Sequence, residues 1–509
     1  MISGSILAER ARINPEALAL VYVPTGERFT YAALHEHSLR FSHLWLDRLG
    51  LKHSDRVGIL SGNSPQYVAA FYAAGLSGVA LVLLNSRLTA HELAGIVNDA
   101  GLSALMYEEQ YAATARDLRG LVAVRHWLAL DGPHSIPYAE LSTAPLPESC
   151  RSAPEDTYCL LYTSGTTGQP KGVILPHRMI LWNAYNTAAS WQLRDSDVSS
   201  IFTPLCHAGG VSVFLTSIML LGGTIVLHRG FDGAEVWRTI EREGVTVVMG
   251  VPTIYKMLLE EPSFAGVNTA RVRWFISGGA PLPQYIIDAY QQRGITFKQG
   301  YGLTEVGVNC FAMSEADSRY KAGSIGTPMM FTEARLLDAE GRELGAGESG
   351  ELCLRGLHVC RGYWNNPEAT AAALDADGWF HTGDQARRDA DGFYYIAGRS
   401  KDVFISGGVN VYPAEVEAEL LTHPAVRDAA VIGVPHAKWG EVGAAFVVLN
   451  PGPELGAREL SEYLAGRVAK FKVPQQFFFV GSLPRTPYGK VVKAELRSFY
   501  DQDRQSSKP

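Results

Sequence analysis

The chain lacks what would make it a disulfide scaffold, a cysteine-built metal protein or a membrane-spanning one. Its 509 residues hold six cysteines (Cys150, Cys159, Cys206, Cys310, Cys353, Cys360). They show no CxxC or Cys/His metal spacing and are too sparse to staple a chain of this length, so reduced thiols in a cytoplasm are expected. No long run of one charge sign occurs within the net charge of -7, and nothing marks nucleic acid as the main partner. Residues 1–20 set Glu9, Arg10, Arg12 and Glu16 among the apolar positions, which leaves no signal-peptide hydrophobic region. The longest uncharged stretch, 208–227, nears the roughly 20 residues of a membrane span. Gly222-Gly223 breaks it, and Thr224-Ile225-Val226 reads as a strand after a buried helix. Internal repeats and low-complexity tracts are missing as well.

What is present is an alternation of strand-sized apolar runs and helix-sized segments, the pattern of a parallel sheet wrapped by helices. Strands are expected at 56–60, 79–84, 224–227, 245–249 and 272–276, with a short one ending near Gln299, and helices at 65–76, 234–242 and 282–292. After about residue 333 the texture turns to hairpin signals: Asp338-Ala339-Glu340-Gly341, Asp375-Ala376-Asp377-Gly378 and Asp389-Ala390-Asp391-Gly392. A boundary falls at 398–402. Beyond it, a helix at 414–421, strands at 429–433 and 444–449 and a helix at 457–468 make a small α/β unit. The fold class is α/β, in a multi-domain globular enzyme.

The stretch richest in chemistry is Tyr162-Thr163-Ser164-Gly165-Thr166-Thr167-Gly168-Gln169-Pro170-Lys171-Gly172. Its glycines let backbone N–H groups turn toward an anion, the hydroxyls of Thr163, Ser164, Thr166 and Thr167 add donors, and Lys171 adds a point charge. That is the composition of a nucleotide-phosphate loop. Gln169 and Pro170 before the lysine and Gly172 after it break the Walker spacing. Ser277-Gly278-Gly279-Ala280-Pro281 follows an apolar strand and precedes a helix, where open α/β sheets bind ligands. Gly300-Tyr301-Gly302-Leu303-Thr304-Glu305 offers an aromatic face for a nucleobase and, at Glu305, a hard carboxylate for Mg²⁺ against phosphates. Gly378-Trp379-Phe380-His381-Thr382-Gly383-Asp384 ends in a carboxylate suited to both ribose hydroxyls. Gly398-Arg399-Ser400-Lys401-Asp402, followed by Ser406-Gly407-Gly408, joins the two units. Taken singly, each has a plain alternative: a flexible turn, a buried tyrosine, a surface glutamate, a turn-capping aspartate.

With Pro484-Arg485-Thr486-Pro487-Tyr488-Gly489-Lys490, these segments in this order closely resemble the motif set of the acyl-adenylate-forming superfamily, over about residues 28–493. The resemblance implies an N-terminal adenylating domain, 1–400, that binds ATP and the acyl substrate through parallel-type sheets wrapped by helices and a β-rich subdomain. It implies a small mobile C-terminal α/β lid, 401–509, with its hinge near Lys401. Two half-reactions follow: a carboxylate attacks the α-phosphate of ATP, releasing pyrophosphate and leaving an acyl-AMP, and a nucleophile then displaces AMP. By the same resemblance Lys490 bridges the carboxylate and the α-phosphate, and Glu305, with Thr304 beside it, holds Mg²⁺. Lys171 and loop 163–168 draw off phosphate charge. Tyr301 and Gly302 take the adenine opposite Gly279 and Ala280, and Asp384 and Arg399 take the ribose. His207, in Thr203-Pro204-Leu205-Cys206-His207, matches a gate between the substrate carboxylate and its pocket.

The walls of that pocket are expected at Ala184, Ala208, Gly209, Met249, Gly278, Leu303, Val308 and Asn309. Many are small and none is Lys or Arg, so the expected acid is a bulky, mainly apolar or aromatic monocarboxylic acid. CoA is the expected acceptor, because Gly407, Gly408 and Trp439 match a pantetheine tunnel and a nucleotide-stacking surface, and Phe471 and Arg87 match further contacts. Val473 and Gln475 stand where relatives often carry Arg or Lys for the 3′-phosphate, with Lys470 and Lys472 as substitutes. This departure leaves room for an amine acceptor, as in stand-alone amide ligases. Two readings lie outside the class. The broken Walker spacing counts against a P-loop phosphotransferase, and Lys490 and Glu305 count against a non-catalytic nucleotide-binding protein.

Overall fold

A computed structural model describes residues 5–150, 152–163, 170–279, 282–321, 323–399, 402–406, 409–452, 455–465, 467–486 and 489–506. Most of the chain before residue 310 builds two sheets. In the first, the order is Phe297–Gln299, Trp274–Ser277, Val247–Gly250, Val198–Ile201, Thr224–Leu227, Leu18–Tyr22 and Glu27–Thr30, parallel except for the last hairpin. The second runs His126–Ala129, Ala104–Tyr107, Arg56–Leu60, Ala80–Leu83, Thr157–Thr163 and Lys171–Pro176, parallel until its final pair. Strands covered by helices on both faces need no polar alternation, which is why Leu81, Val82, Leu105 and Val248 are all fully buried. Helices Pro65–Ser77 and His177–Ser190 are buried nearly all round and join both sheets into the main core.

Residues 208–227 behave as the interrupted pattern predicts. Short helical turns Ala208–Gly210, Val211–Leu215 and Thr216–Leu221 end at Gly222, whose φ is +92°, and strand Thr224–Leu227 follows. Among the described residues no helix is long and apolar enough to cross a membrane.

The three Asp-x-x-Gly signals form one recurring turn. Oδ1 of Asp338, Asp375 and Asp389 accepts from the N–H groups two and four residues on, and the glycine takes φ between +80° and +88°. The third turn joins the last two strands of the antiparallel sheet Glu333–Leu337, Ser349–Arg355, Phe380–Arg388 and Tyr394–Arg399.

Toward the C-terminus, Val426–His436 and Gly440–Leu449 pair as a long ribbon, with Gln476–Phe479 added in parallel to the latter. The ribbon outruns the expected strands at 429–433 and 444–449. Gly433 and Pro435 interrupt the apolar run in sequence, whereas cross-strand pairing as far as His436 and Gly440 carries the backbone through them. Helix Ala457–Ala465 ends a few residues before the expected 468.

Candidate active site

Four neighbouring parallel strands of the first sheet end along one edge, and the chain at each end carries an expected site residue. Strand Val198–Ile201 leads to His207; Val247–Gly250 contains Met249; Trp274–Ser277 leads to Gly278 and Gly279; Phe297–Gln299 leads to Gly300 through Glu305. Ligand crevices of open α/β sheets lie beyond such strand ends. The loop to His207 is held by Asn63, whose Nδ2 donates to the Thr203 carbonyl at 3.0 Å and whose Oδ1 accepts from the Leu205 N–H at 2.8 Å. A Cβ added at Gly209 or Gly278 would stand 3.6 or 3.7 Å from the Met249 methyl, so these three positions share one wall.

Asp384 is placed by the period of its strand. Phe380, Thr382, Asp384 and Ala386 are buried while the residues between them are half-exposed, the two-residue repeat of a sheet face. Arg399 is its cross-strand neighbour, and the guanidinium Nε lies 2.7 Å from Oδ1 of Asp384. The Tyr301 hydroxyl donates to Oδ2 at 2.6 Å. Burial pushes the Asp384 carboxyl above its usual range, opposed by the charge of Arg399, the Tyr301 hydrogen bond and the charge of Lys490. One step earlier, the Gly383 N–H donates to Glu351 at 3.0 Å, and the same carboxylate meets His381 Nδ1 at 3.1 Å, which steadies the turn into Asp384.

On the phosphate side, Thr163 and Lys171 are paired directly across a hairpin, so the loop between them leaves and returns at one place. The Lys171 ammonium stands 5.2 Å from the centre of the Tyr363 ring. The hydroxyl of Tyr363 donates to Oε1 of Glu305 at 3.1 Å, and the backbone carbonyl of Glu305 accepts from the Cys360 N–H at 2.7 Å. Glu305 is thus half-buried and oriented by Tyr363, whose ring faces the Lys171 ammonium, and it is an oxygen donor of the kind that fits Mg²⁺ beside phosphates. Tyr363 was not expected from sequence; its only signal is an aromatic after Arg361-Gly362 in a stretch without periodicity.

Lys490 arrives from the far end of the chain. The Thr486 N–H donates to the Lys490 carbonyl at 2.7 Å, closing a tight turn. Gly489 there has φ +76°, and a Cβ on it would stand 2.9 Å from the hydroxyl of Thr253 on helix Pro252–Glu260, so the turn lies against the large sheet unit. The charge of Lys490 reaches both His207 and Asp384. Burial, then the charges of Arg87 and Lys490, push the His207 imidazole down to about 3. His207 is therefore neutral at working pH. The unfolded chain takes up this proton as pH falls through about 6.5, whereas the folded one does so only near 3. Its stabilising share is full above the unfolded value and is lost toward acid, at about 1.4 kcal/mol per pH unit. Denaturant melts between pH 7 and 5 should show His207→Gln losing stability less steeply than the parent by about one proton; identical slopes would refute the neutral imidazole.

Of the remaining expected residues, Ser164, Gly165, Thr166, Thr167, Gly168, Ala280, Lys401, Gly407 and Gly408 lie outside the described ones. Ala184 and Asn309 are buried, and the Asn309 amide donates to the Thr187 hydroxyl at 2.7 Å. Ala208, Thr304 and Val308 line one narrow, closely packed cleft. Gly302 packs against the backbone of Val308, and Leu303 pairs with Gly307. Trp439 is 42% exposed at the ribbon tip. Arg87, Lys470 and Phe471 are exposed, while Lys472 is tied to both oxygens of Glu415 at 2.6 and 2.7 Å.

Carboxylates and hydrogen-bond donors near the strand ends, with a lysine from the C-terminal part of the chain whose charge is felt at His207 and Asp384, fit an AMP-forming acid ligase. Comparison with known proteins agrees. Residues 7–364 match the family of AMP-binding enzymes, and residues 415–490 match the AMP-binding enzyme C-terminal domain. The chain belongs to this family and is an acyl-CoA-synthetase-like member of the acyl-adenylate-forming superfamily. A feruloyl-CoA synthase of an Amycolatopsis species is 38% identical over 495 residues, 97% of this chain and 98% of that one. The long-chain-fatty-acid–CoA ligase FadD13 of Mycobacterium tuberculosis is 36% identical over 502 residues, 98% of each chain. Among solved structures, ATP-bound MatB from Rhodopseudomonas palustris matches with a TM-score of 0.90 at 32% identity, covering 98% of this chain and 99% of that one.

Proposed function

We propose that this ligase activates a bulky, mainly apolar or aromatic monocarboxylic acid as its acyl-AMP and passes the acyl group to CoA. The observation that carries the reading is the position of Lys490, whose charge reaches His207 on the acyl side and Asp384 on the nucleotide side at once. A carboxylate in that gap would meet a cation as it approaches the α-phosphate. In the first half-reaction a carboxylate oxygen bonds to the α-phosphorus while the bond from that phosphorus to the bridging oxygen breaks, and pyrophosphate leaves with the electron pair. Lys490 lowers the repulsion between the two anions and aligns them. Lys171 and loop 163–168 take charge from the leaving phosphates, and Glu305 would hold Mg²⁺, which when bound would supply further positive charge to the phosphates.

Tyr301 and Gly302 form the adenine face against Gly279 and Ala280, with the ribose on Asp384 and Arg399. Neutral His207 adds no cation at the mouth of the acyl pocket. In the second half-reaction the thiol of CoA attacks the acyl carbon and AMP departs. The family resemblance assigns the thiol's path to Gly407 and Gly408, which lie outside the described residues, and its nucleotide end to Trp439. Residues 1–400 form the adenylating domain and 401–509 the lid, turning about Lys401. The six thiols, none in a disulfide, suit a cytoplasmic setting.

The test is to supply ATP, Mg²⁺ and a panel of aromatic and aliphatic acids, with CoA or with amines, and to identify products by mass. AMP, pyrophosphate and CoA thioesters are expected, each dependent on the acid. Release of ADP would overturn the reading, and amides formed while thioesters are absent would move the acceptor from thiol to amine.

A further inference from the structure

We infer that Asn183 sets the specificity of the acyl pocket: its side-chain oxygen accepts a hydrogen bond from a hydroxyl or amino group on the acyl part of the acid. The inference rests on the acyl-pocket reading above and narrows it, from an apolar acid to an apolar acid with one donor.

Asn183 lies on helix His177–Ser190 and is 2% exposed. Its Nδ2 donates to the Ser212 carbonyl at 2.6 Å. A carbonyl can only accept, so this bond fixes which way the amide faces and turns Oδ1 to the other side. There Oδ1 is buried and has no hydrogen-bond partner among the described residues. Buried polar atoms are nearly always satisfied, and one left over asks for a ligand.

No side chain from position 307 covers Oδ1. Gly307, at φ +75°, faces it, and a Cβ there would stand 2.7 Å from that oxygen. Asn183 and Gly307 both line one narrow, closely packed cleft, whose other walls are mainly apolar, Leu175, Met179, Ile180 and Val308 among them, and include Ser212 and Thr304. A mainly apolar cleft with a buried, unpartnered acceptor on its wall suits an apolar body that carries one donor. The contrast with Asn309 is informative, since that amide donates to Thr187 and Val213 within the fold.

The test uses matched acids: 3-phenylpropenoic acid against its 4-hydroxy and 4-amino forms, and octanoic acid against 8-hydroxyoctanoic acid. The readout is kcat/KM for acid-dependent AMP release. In the parent enzyme the donor-bearing member of at least one pair should be favoured by on the order of ten- to a hundredfold, the worth of leaving or filling one buried acceptor. Asn183→Leu should erase that preference, read as the ratio of kcat/KM within each pair rather than as the rate with either acid. A preference that survives unchanged in Asn183→Leu would place the acceptor elsewhere in the pocket and overturn the role of Asn183. Equal rates within every pair, in an enzyme that adenylates both members, would overturn the role of Asn183 and leave the proposed function standing. Absence of AMP release with every acid would overturn both.

Discussion

Replacing Lys490 with alanine should cut acid-dependent pyrophosphate release by about a hundredfold or more, the usual scale for losing one preorganised charge at a reacting centre. Thioester formation from acyl-AMP supplied from outside should stay within a few-fold of the parent. The asymmetry follows from where the charge develops. In the first step an anion meets a polyanion, and the Lys490 ammonium reaches both His207 and Asp384. In the second, a thiol attacks an already activated acyl group, and no second anion has to be brought to the phosphorus. Single-turnover assays of each half-reaction distinguish the outcomes. An equal loss in both would show Lys490 to be structural, acting through its turn with Thr486.

The opposite asymmetry is expected of Lys401→Pro. Proline locks φ near −65°, and a hinge that must change backbone dihedrals to swing the lid cannot turn about a locked residue. Pyrophosphate release should survive within a few-fold, while CoA thioester formation should fall by on the order of a hundredfold. Lys401 itself lies outside the described residues. The chain on either side is held by the Asp402 and Val403 N–H groups, which donate to the Arg399 carbonyl at 2.9 and 3.1 Å. Comparing pyrophosphate release with thioester yield on one preparation settles it. If both fall together, residue 401 is not the pivot and the division of the chain at 400 loses its support.

Much of the site was legible because its signals are local. An Asp four residues after Phe380, in a strand of period two, has to share that residue's face. The Asp-x-x-Gly turns are closed by their own side chains, with Asp389 accepting from the N–H groups of Asp391 and Phe393. The glycine- and hydroxyl-rich loop announces an anion by composition. Asn183, Tyr363 and Asn63 carry no such mark. On an apolar helix one asparagine looks like a tolerated polar position, and only the fold shows that its amide nitrogen is tied to the Ser212 carbonyl while its oxygen has no partner among the described residues. Tyr363 matters because Glu305, 58 residues away in sequence, is its partner.

The chain's local chemistry by itself determined the alternation of strand and helix, the turn positions and the family. Those depend on backbone preference and on side chains within a few residues of one another. Only the tertiary structure decided which distant groups share a space: Lys490 with His207 and Asp384, Lys171 with Tyr363 and Glu305, Asn183 with Gly307. Charge and hydrogen bonding act over a few ångströms through space, and sequence separation sets no bound on that distance until the sheets are assembled.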